Sequence, residues 1–232
     1  MKDLTVAIDG PAGAGKTTVS RRVAEVLGYR YVDTGAMYRA VAWRMRRAGI
    51  NLADEAAVVA LAERLRFEFR TADGGQARLF VDGEDVSAAV REPEVTRLSS
   101  PVSAIPGVRR ALVARQREMG AAGGVVMEGR DIGTVVFPDA EVKVFLTATD
   151  TERARRRTEE LRARGEAAEP GQVLAAIRER DARDSTRADS PLRPADDSVT
   201  LVSDGLTVDE VVARIVALCR ERAARRRETH ET

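Results

Sequence analysis

Lysine is nearly missing from this chain: Lys2, Lys16 and Lys143 are the only ones, although lysine and arginine together number 38 among 232 residues. Histidine, cysteine and tryptophan occur once each, and aromatic residues make up 4%. The one histidine, His230, lies in a charged tail, so histidine general acid–base chemistry is excluded from the expected mechanisms. A single cysteine excludes a disulfide within the chain. Cys219 shares the apolar face of a final helix with Val212, Ile215 and Val216, which reads as core packing and not as redox chemistry. No apolar run approaches the ~18 residues of a membrane span, and the N-terminus enters a strand almost at once. No signal peptide or anchor is expected, and the expected location is the cytoplasm. With 38 basic residues against 37 acidic, no excess charge asks for a nucleic acid or an anionic membrane. The basic stretch Arg220 to Arg227 reads as a solvated helix end, because no aromatic residue is interleaved with it.

Against these absences stands Gly10-Pro11-Ala12-Gly13-Ala14-Gly15-Lys16-Thr17-Thr18, which fits the phosphate-loop pattern G-x-x-x-x-G-K-[ST]. Its context agrees: Leu4 to Ile8 reads as a buried strand, and Thr17 to Leu27 as an amphipathic helix stopped by Gly28. The glycines let backbone N–H groups approach phosphates, and the following helix adds the partial positive charge of its N-terminus. Lys16 would reach the β- and γ-phosphates of a nucleoside triphosphate, and the Thr17 hydroxyl is placed to ligate Mg²⁺. The chain therefore holds ATP or a related triphosphate.

The length suits one α/β domain with insertions. Strand-like runs at Leu4 to Ile8, Tyr29 to Val32, Val125 to Met127, Val142 to Leu146 and Val199 to Val202 alternate with helical patterns, which predicts a parallel sheet wrapped by helices. Ligands of such sheets bind beyond the carboxyl ends of the strands, so the polar residues there matter: Asp9, Asp33-Thr34, Glu128 to Asp131, and Ser203-Asp204. One segment breaks the alternation. Arg66 to Arg70 and Ala77 to Val81 read as strands joined through Asp73-Gly74-Gly75, a small antiparallel insertion. The region Glu92 to Met119 returns to helix, with Pro93, Pro101 and Pro106 as expected boundaries.

Four constellations can carry chemistry. In Asp33-Thr34-Gly35-Ala36-Met37-Tyr38-Arg39 a helix begins near Ala36, and Arg39 on its first turn suits a second phosphate; Thr34 alone fits an ordinary N-cap equally well. The run Glu128 to Thr134 sends Arg130 and Asp131 out directly at the ligand edge, where arginine can clamp a phosphate and the carboxylate can accept from a base amino group or bind Mg²⁺ through water. On a helix near Ala175 to Asp189, Arg180, Asp184 and Arg187 recur at i, i+4 and i+7 on one face. That face could hold a ribose and a phosphate, or be a salt-bridged surface. Arg153, Arg156 and Arg157 share another helix face leading to Arg162 to Gly165, a segment that could swing arginines over a transferring phosphoryl group.

GPAGAGKTT, VDTGAMYRA, EGRDIGTVVFPDA and RERDARDSTRADSPL, in this order and spacing, closely resemble the bacterial cytidylate kinases, ATP-dependent CMP kinases, over nearly the whole chain from Val6 to about Val216. The resemblance implies a single domain over 1–232 of the P-loop type, with a nucleoside-monophosphate-binding insertion at about 36–105 and a helical lid at about 150–170. It implies that Arg39, Arg130 and Arg187 hold the CMP phosphate, that Asp184 and Arg180 hold the ribose, and that Ser100, Arg109 and Asp131 read the cytosine edge, with Thr34 lining the site. Family members can carry serine at the position of Thr34, which keeps the hydroxyl. It further implies transfer to CMP, and to dCMP, with Lys16, Arg130, Arg153, Arg156 and Arg157 as the catalytic cations. A monomer is expected. The CMP phosphate is already anionic near neutral pH, so no general base is needed. Rival readings are a kinase for another small acceptor, such as a different nucleoside monophosphate or shikimate, and a nucleotide-gated switch. The guanine-reading N-K-x-D element of such switches is absent, since none of the three lysines follows an asparagine.

Overall fold

The computed structural model describes residues 3–71 and 77–228. The expected turn Asp73-Gly74-Gly75 and His230 lie outside the described residues. The element order is β1 (Thr5–Asp9), α1 (Lys16–Leu27), β2 (Arg30–Asp33), α2 (Thr34–Arg47), α3 (Glu55–Arg64), β3 (Phe67–Thr71), β4 (Ala77–Val81), β5 (Glu84–Asp85), α4 (Pro93–Ala104), α5 (Pro106–Gly120), β6 (Val125–Gly129), β7 (Val142–Thr147), α6 (Asp150–Ala163), α7 (Pro170–Thr186), β8 (Val199–Val202) and α8 (Val208–Glu228). A π-helical turn, Ile132–Val136, follows β6.

The first, second, sixth, seventh and eighth strands form one parallel sheet in the order β2-β6-β1-β7-β8. β1 is buried along its whole length, as a central parallel strand covered on both faces must be. Its register sets Asp9 opposite Gly129 of β6 and Phe145 of β7, so β1 and β6 end at one level and β7 runs on two residues to Thr147. That level is where the functional residues collect. α1 packs on β1 and β6, and α8 packs on α1 and β7 through Val211, Val212, Ile215, Val216 and Cys219. Cys219 is 2% exposed, in the core as its helical spacing predicts.

The chain divides into two compact units, Met1–Arg30 with Gly123–Thr232, and Tyr31–Ala122. The second unit holds the antiparallel sheet β3-β4-β5 and its own apolar core, built from Met37, Val41 and Met45 of α2, Val58 and Ala62 of α3, Val95 and Val102 of α4, and Val108 and Leu112 of α5. Pro93 and Pro106 open α4 and α5, where a missing N–H costs nothing. Pro101 does not end a helix. It sits inside α4, whose buried face of Val95, Ser99 and Val102 supplies the packing that holds the helix together through it.

Candidate active site

Gly10 follows β1 at φ 149°, and a Cβ there would lie 1.9 Å from the carbonyl oxygen of Leu146 in β7. Only glycine can occupy that position, so the loop starts pressed against the neighbouring strand. Gly13 and Gly15 also take positive φ, at 75° and 86°. Gly15 caps α1 with no side-chain bond, and the first turn carries no acidic residue. The helix N-terminus therefore presents its N–H groups and dipole to whatever anion the loop holds. Between these glycines Pro11 and Ala14 are buried and Ala12 is half-buried, while Thr17 and Thr18 are exposed on the first turn of α1. Lys16 is 7% exposed, and its Nζ donates to the carbonyl oxygens of Gly10 at 2.8 Å and Pro11 at 2.7 Å. Burial foremost, then the Arg130 guanidinium, lowers the Lys16 ammonium to about 7, against the opposing pull of Glu128 and Asp9.

The second cluster of the first unit surrounds one carboxylate. Asp184, in the last turn of α7 and 6% exposed, accepts from Arg130 Nε at 3.0 Å. Arg187 Nη1 lies 3.7 Å from its other oxygen, and Arg180 Nε lies 4.0 Å away. Arg187 also approaches Asp131 at 4.0 Å and donates to the Ser190 carbonyl at 2.6 Å. Burial works to raise the Asp184 carboxyl, but the charges of Arg130, Arg180 and Arg187 outweigh it and hold the group below the usual carboxylate range. Helical spacing places Arg187 on the helix; the structure instead ends α7 at Thr186, and Arg187 has extended backbone. Its side chain turns back to Asp184 all the same.

The three arginines of α6 differ in setting. Arg153 is 4% exposed and donates to the carbonyl oxygens of Ala148 at 3.1 Å and Ala12 at 3.0 Å, and it pairs with Asp150 and Asp181. Asp181 in turn accepts from the Ala12 N–H of the loop at 3.3 Å. Arg153 is thus packed under the loop as a strut. Arg156 is half-buried, bonds Glu152 and both oxygens of Ser203, and lies 3.8 Å from where a Gly15 Cβ would be. Arg157 pairs with Glu160 at the surface. Asp204, after β8, accepts from Thr149 N at 3.0 Å and Thr149 Oγ1 at 2.5 Å, which fixes the start of α6.

In the second unit, α2 starts at Thr34 and not near Ala36, and its N-cap is Asp33, whose Oδ1 accepts from Ala36 N at 2.9 Å. Thr34 is 3% exposed and is not the cap. Asp33 Oδ2 also receives Arg39 Nη2 at 2.8 Å, while Arg39 Nε is buried with no hydrogen-bond partner. Gly35 makes room for this fold-back, since a Cβ there would lie 3.2 Å from Arg39 Nη1. Arg109, 2% exposed on α5, donates to the Ser103 carbonyl at 3.2 Å and stacks 5.4 Å over the Tyr38 ring. Ser100 is half-buried on α4, and its carbonyl accepts from Ser103 Oγ at 2.8 Å. The double role of Asp33 and the placement of Asp181 escape sequence reasoning. Asp33 has a readable signal, a carboxylate three residues before Ala36, whereas Asp181 has none.

Residues 6–221 match the family described as cytidylate kinase. A cytidylate kinase of Pelotomaculum thermopropionicum is 52% identical over 212 residues, 91% of this chain and 94% of that one. A bifunctional pantoate ligase/cytidylate kinase of Synechococcus sp. (strain CC9902) is 53% identical over 220 residues, which cover 94% of this chain but 46% of that protein. The chain spans about half the length of the bifunctional relatives it matches. Among solved structures, a gluconokinase from Sinorhizobium meliloti 1021 aligns with a TM-score of 0.51 at 15% identity over 98% of both chains, a likeness of fold alone. The phosphate loop, the arginines gathered on Asp184 and the match over residues 6–221 agree: the chain belongs to the cytidylate kinase family.

Proposed function

We propose that this chain transfers the γ-phosphoryl group of ATP to CMP, and to dCMP, giving ADP and CDP or dCDP. The observation that carries the reading is the presence, within one compact unit, of two separate grips for anions. One is the glycine loop with Lys16. The other is the arginine set around Asp184, close enough that Arg130 and Arg180 both depress the Lys16 ammonium.

Lys16 neutralises the transferred phosphoryl group, and the Gly10–Gly15 loop holds the donor phosphates through its backbone N–H groups. Arg130 and Arg187 hold the acceptor phosphate, with Asp184 and Arg180 on the ribose. From the family resemblance Arg39 is assigned to the same phosphate, Ser100, Arg109 and Asp131 to the cytosine edge, and Thr34 to the lining of the site. A CMP phosphate oxygen attacks the γ-phosphorus in line, the bond to the ADP oxygen breaks, and ADP departs with that electron pair. No proton need be abstracted. Catalysis then rests on positioning and charge. Of the α6 arginines, Arg156 and Arg157 are the ones with exposure enough to meet the nucleotide, while Arg153 acts through the loop it supports.

Mg²⁺ fits these residues: the exposed Thr17 beside the loop offers one hydroxyl oxygen, and the nucleotide phosphates would supply further oxygen ligands. That is the donor set of an ion bound mainly through nucleotide phosphates, where it would add charge neutralisation. No helix among the described residues is long and apolar enough to cross a membrane. We take the enzyme to be a cytoplasmic monomer.

A coupled assay of CMP, dCMP, UMP, AMP and shikimate with ATP and Mg²⁺ tests the reading. CMP and dCMP are expected to turn over far faster than the rest. Faster use of AMP or shikimate would overturn it.

A further inference from the structure

Asp9 ends β1 and is 5% exposed. Its side chain does not serve the loop that follows it. Oδ1 accepts from the backbone N–H of Ile132 at 2.8 Å, and Oδ2 from that of Gly133 at 2.7 Å. These amides open the π-helical turn, whose own bonds run from Val135 and Val136 back to the Asp131 carbonyl and from Phe137 back to that of Ile132. The first N–H groups of such a turn have no acceptor inside it. Asp131 occupies the capping position but makes no capping bond with its side chain. The cap comes from a different strand.

We propose that Asp9 is a positioning residue for phosphoryl transfer: by capping the turn after β6 it fixes Arg130 and Asp131 against the phosphate loop that begins at the next residue. The proposal rests on the CMP kinase reading above and adds to it a residue that touches neither nucleotide. The backbone of Asp9, in register with Gly129, runs into Gly10, whose carbonyl holds Lys16 Nζ. Its side chain holds the two residues that follow Asp131. One residue thereby ties the donor-side cation and the acceptor-side guanidinium to a single frame.

The chemistry demands a carboxylate. Two N–H donors need two acceptor oxygens, and an asparagine supplies one while setting its NH₂ against the other donor. The ion is kept at a cost. Burial foremost, with a contribution from Asp131, raises the Asp9 carboxyl to about 6 in spite of both amides and Lys16. A charge retained against its own desolvation at the end of a core strand points to a functional demand.

The test compares Asp9→Asn with the wild type in steady-state kinetics with CMP, in equilibrium ATP binding and in thermal melting. A kcat loss of about 10- to 100-fold is expected, the size of a misplaced catalytic group. The ATP Kd should stay within about threefold, because the loop glycines and Lys16 are left in place. Preference for CMP over UMP should fall as well, because Asp131 is left as the nearest cap. Asp9→Glu, which keeps the charge but moves both acceptor oxygens, should give an intermediate kcat loss, and it decides the matter should Asp9→Asn fail to fold. A kcat within about twofold of wild type, or kcat and ATP affinity falling together with Tm, would mean that Asp9 only holds the fold. A wild type inactive on CMP refutes the reaction and this proposal together; an active wild type with an unimpaired Asp9→Asn refutes this proposal alone.

Discussion

Arg130 and Asp184 meet at 3.0 Å although 54 residues separate them in sequence, and the carboxylate of this pair is also the one that Arg180 and Arg187 face. Removing it takes a buried carboxylate away from the three guanidinium groups that face it. Asp184→Ala is expected to cost about 3 kcal/mol of stability in a urea titration and to raise the KM for CMP more than that for ATP.

The same carboxylate sets an acid limb. Its folded-state pKa lies below the usual value because the three arginines overcome burial, so its contribution is fully present above the ordinary carboxylate pKa and is lost as pH falls through the lower folded one. Asp184→Asn should therefore flatten the loss of stability below about pH 4. An unchanged acid limb by calorimetry would show that other carboxylates dominate it.

Lys16 predicts a proton linkage. Its ammonium is lowered to about 7 by burial and by Arg130 in the absence of nucleotide, and phosphate anions in the loop favour the charged form. ATP binding should take up a proton at about pH 8, and apparent affinity should decline as pH rises above about 7. Titration calorimetry in buffers of different ionisation enthalpy measures this uptake, which should vanish in Lys16→Met. That variant should also lose CMP kinase activity by on the order of a hundredfold or more.

Arg153 and Arg157 lie one turn apart on α6 and should respond oppositely. Arg153→Ala removes a buried cation shared by Asp150, Asp181 and the Ala12 carbonyl, so a stability loss of about 3 kcal/mol is expected. Arg157→Ala should change stability by less than about 0.5 kcal/mol yet lower kcat about tenfold or more. Urea titration beside steady-state kinetics separates the two.

Gly10→Ala should be among the most damaging single-methyl changes, at about 2–4 kcal/mol, because its Cβ meets the Leu146 carbonyl at 1.9 Å and the backbone sits at φ 149°. Soluble yield and Tm report it. Cys219, whose thiol burial pushes up to about 12, should resist alkylation until the protein unfolds.

The phosphate loop was legible because glycine is demanded by backbone conformation and close approach, constraints that act within a few residues of chain. The strands of the parallel sheet were legible for a similar reason, since a strand buried on both faces must be largely apolar, as Val125 to Met127 are throughout and Val142 to Leu146 are apart from Lys143. The meeting of Arg180, Asp184 and Arg187 was half legible. Spacing gave the shared face, but the helix ends before Arg187, and sequence left open whether the face bound a ligand or solvent. The burial of Arg153 was not legible at all. Its partners come from the phosphate loop, from α6 and from α7, and no local pattern records that three segments will close over one guanidinium.

What the sequence determined alone was therefore the local backbone: where the chain must turn at glycine, which runs must be strands or helices, and which cation follows the loop. Tertiary structure alone decided which of the many arginines meets which carboxylate, and that Asp9 serves a turn 123 residues away. Charged side chains of one type are interchangeable along a chain. Only register and burial, by excluding water from some pairs and leaving it at others, make them different.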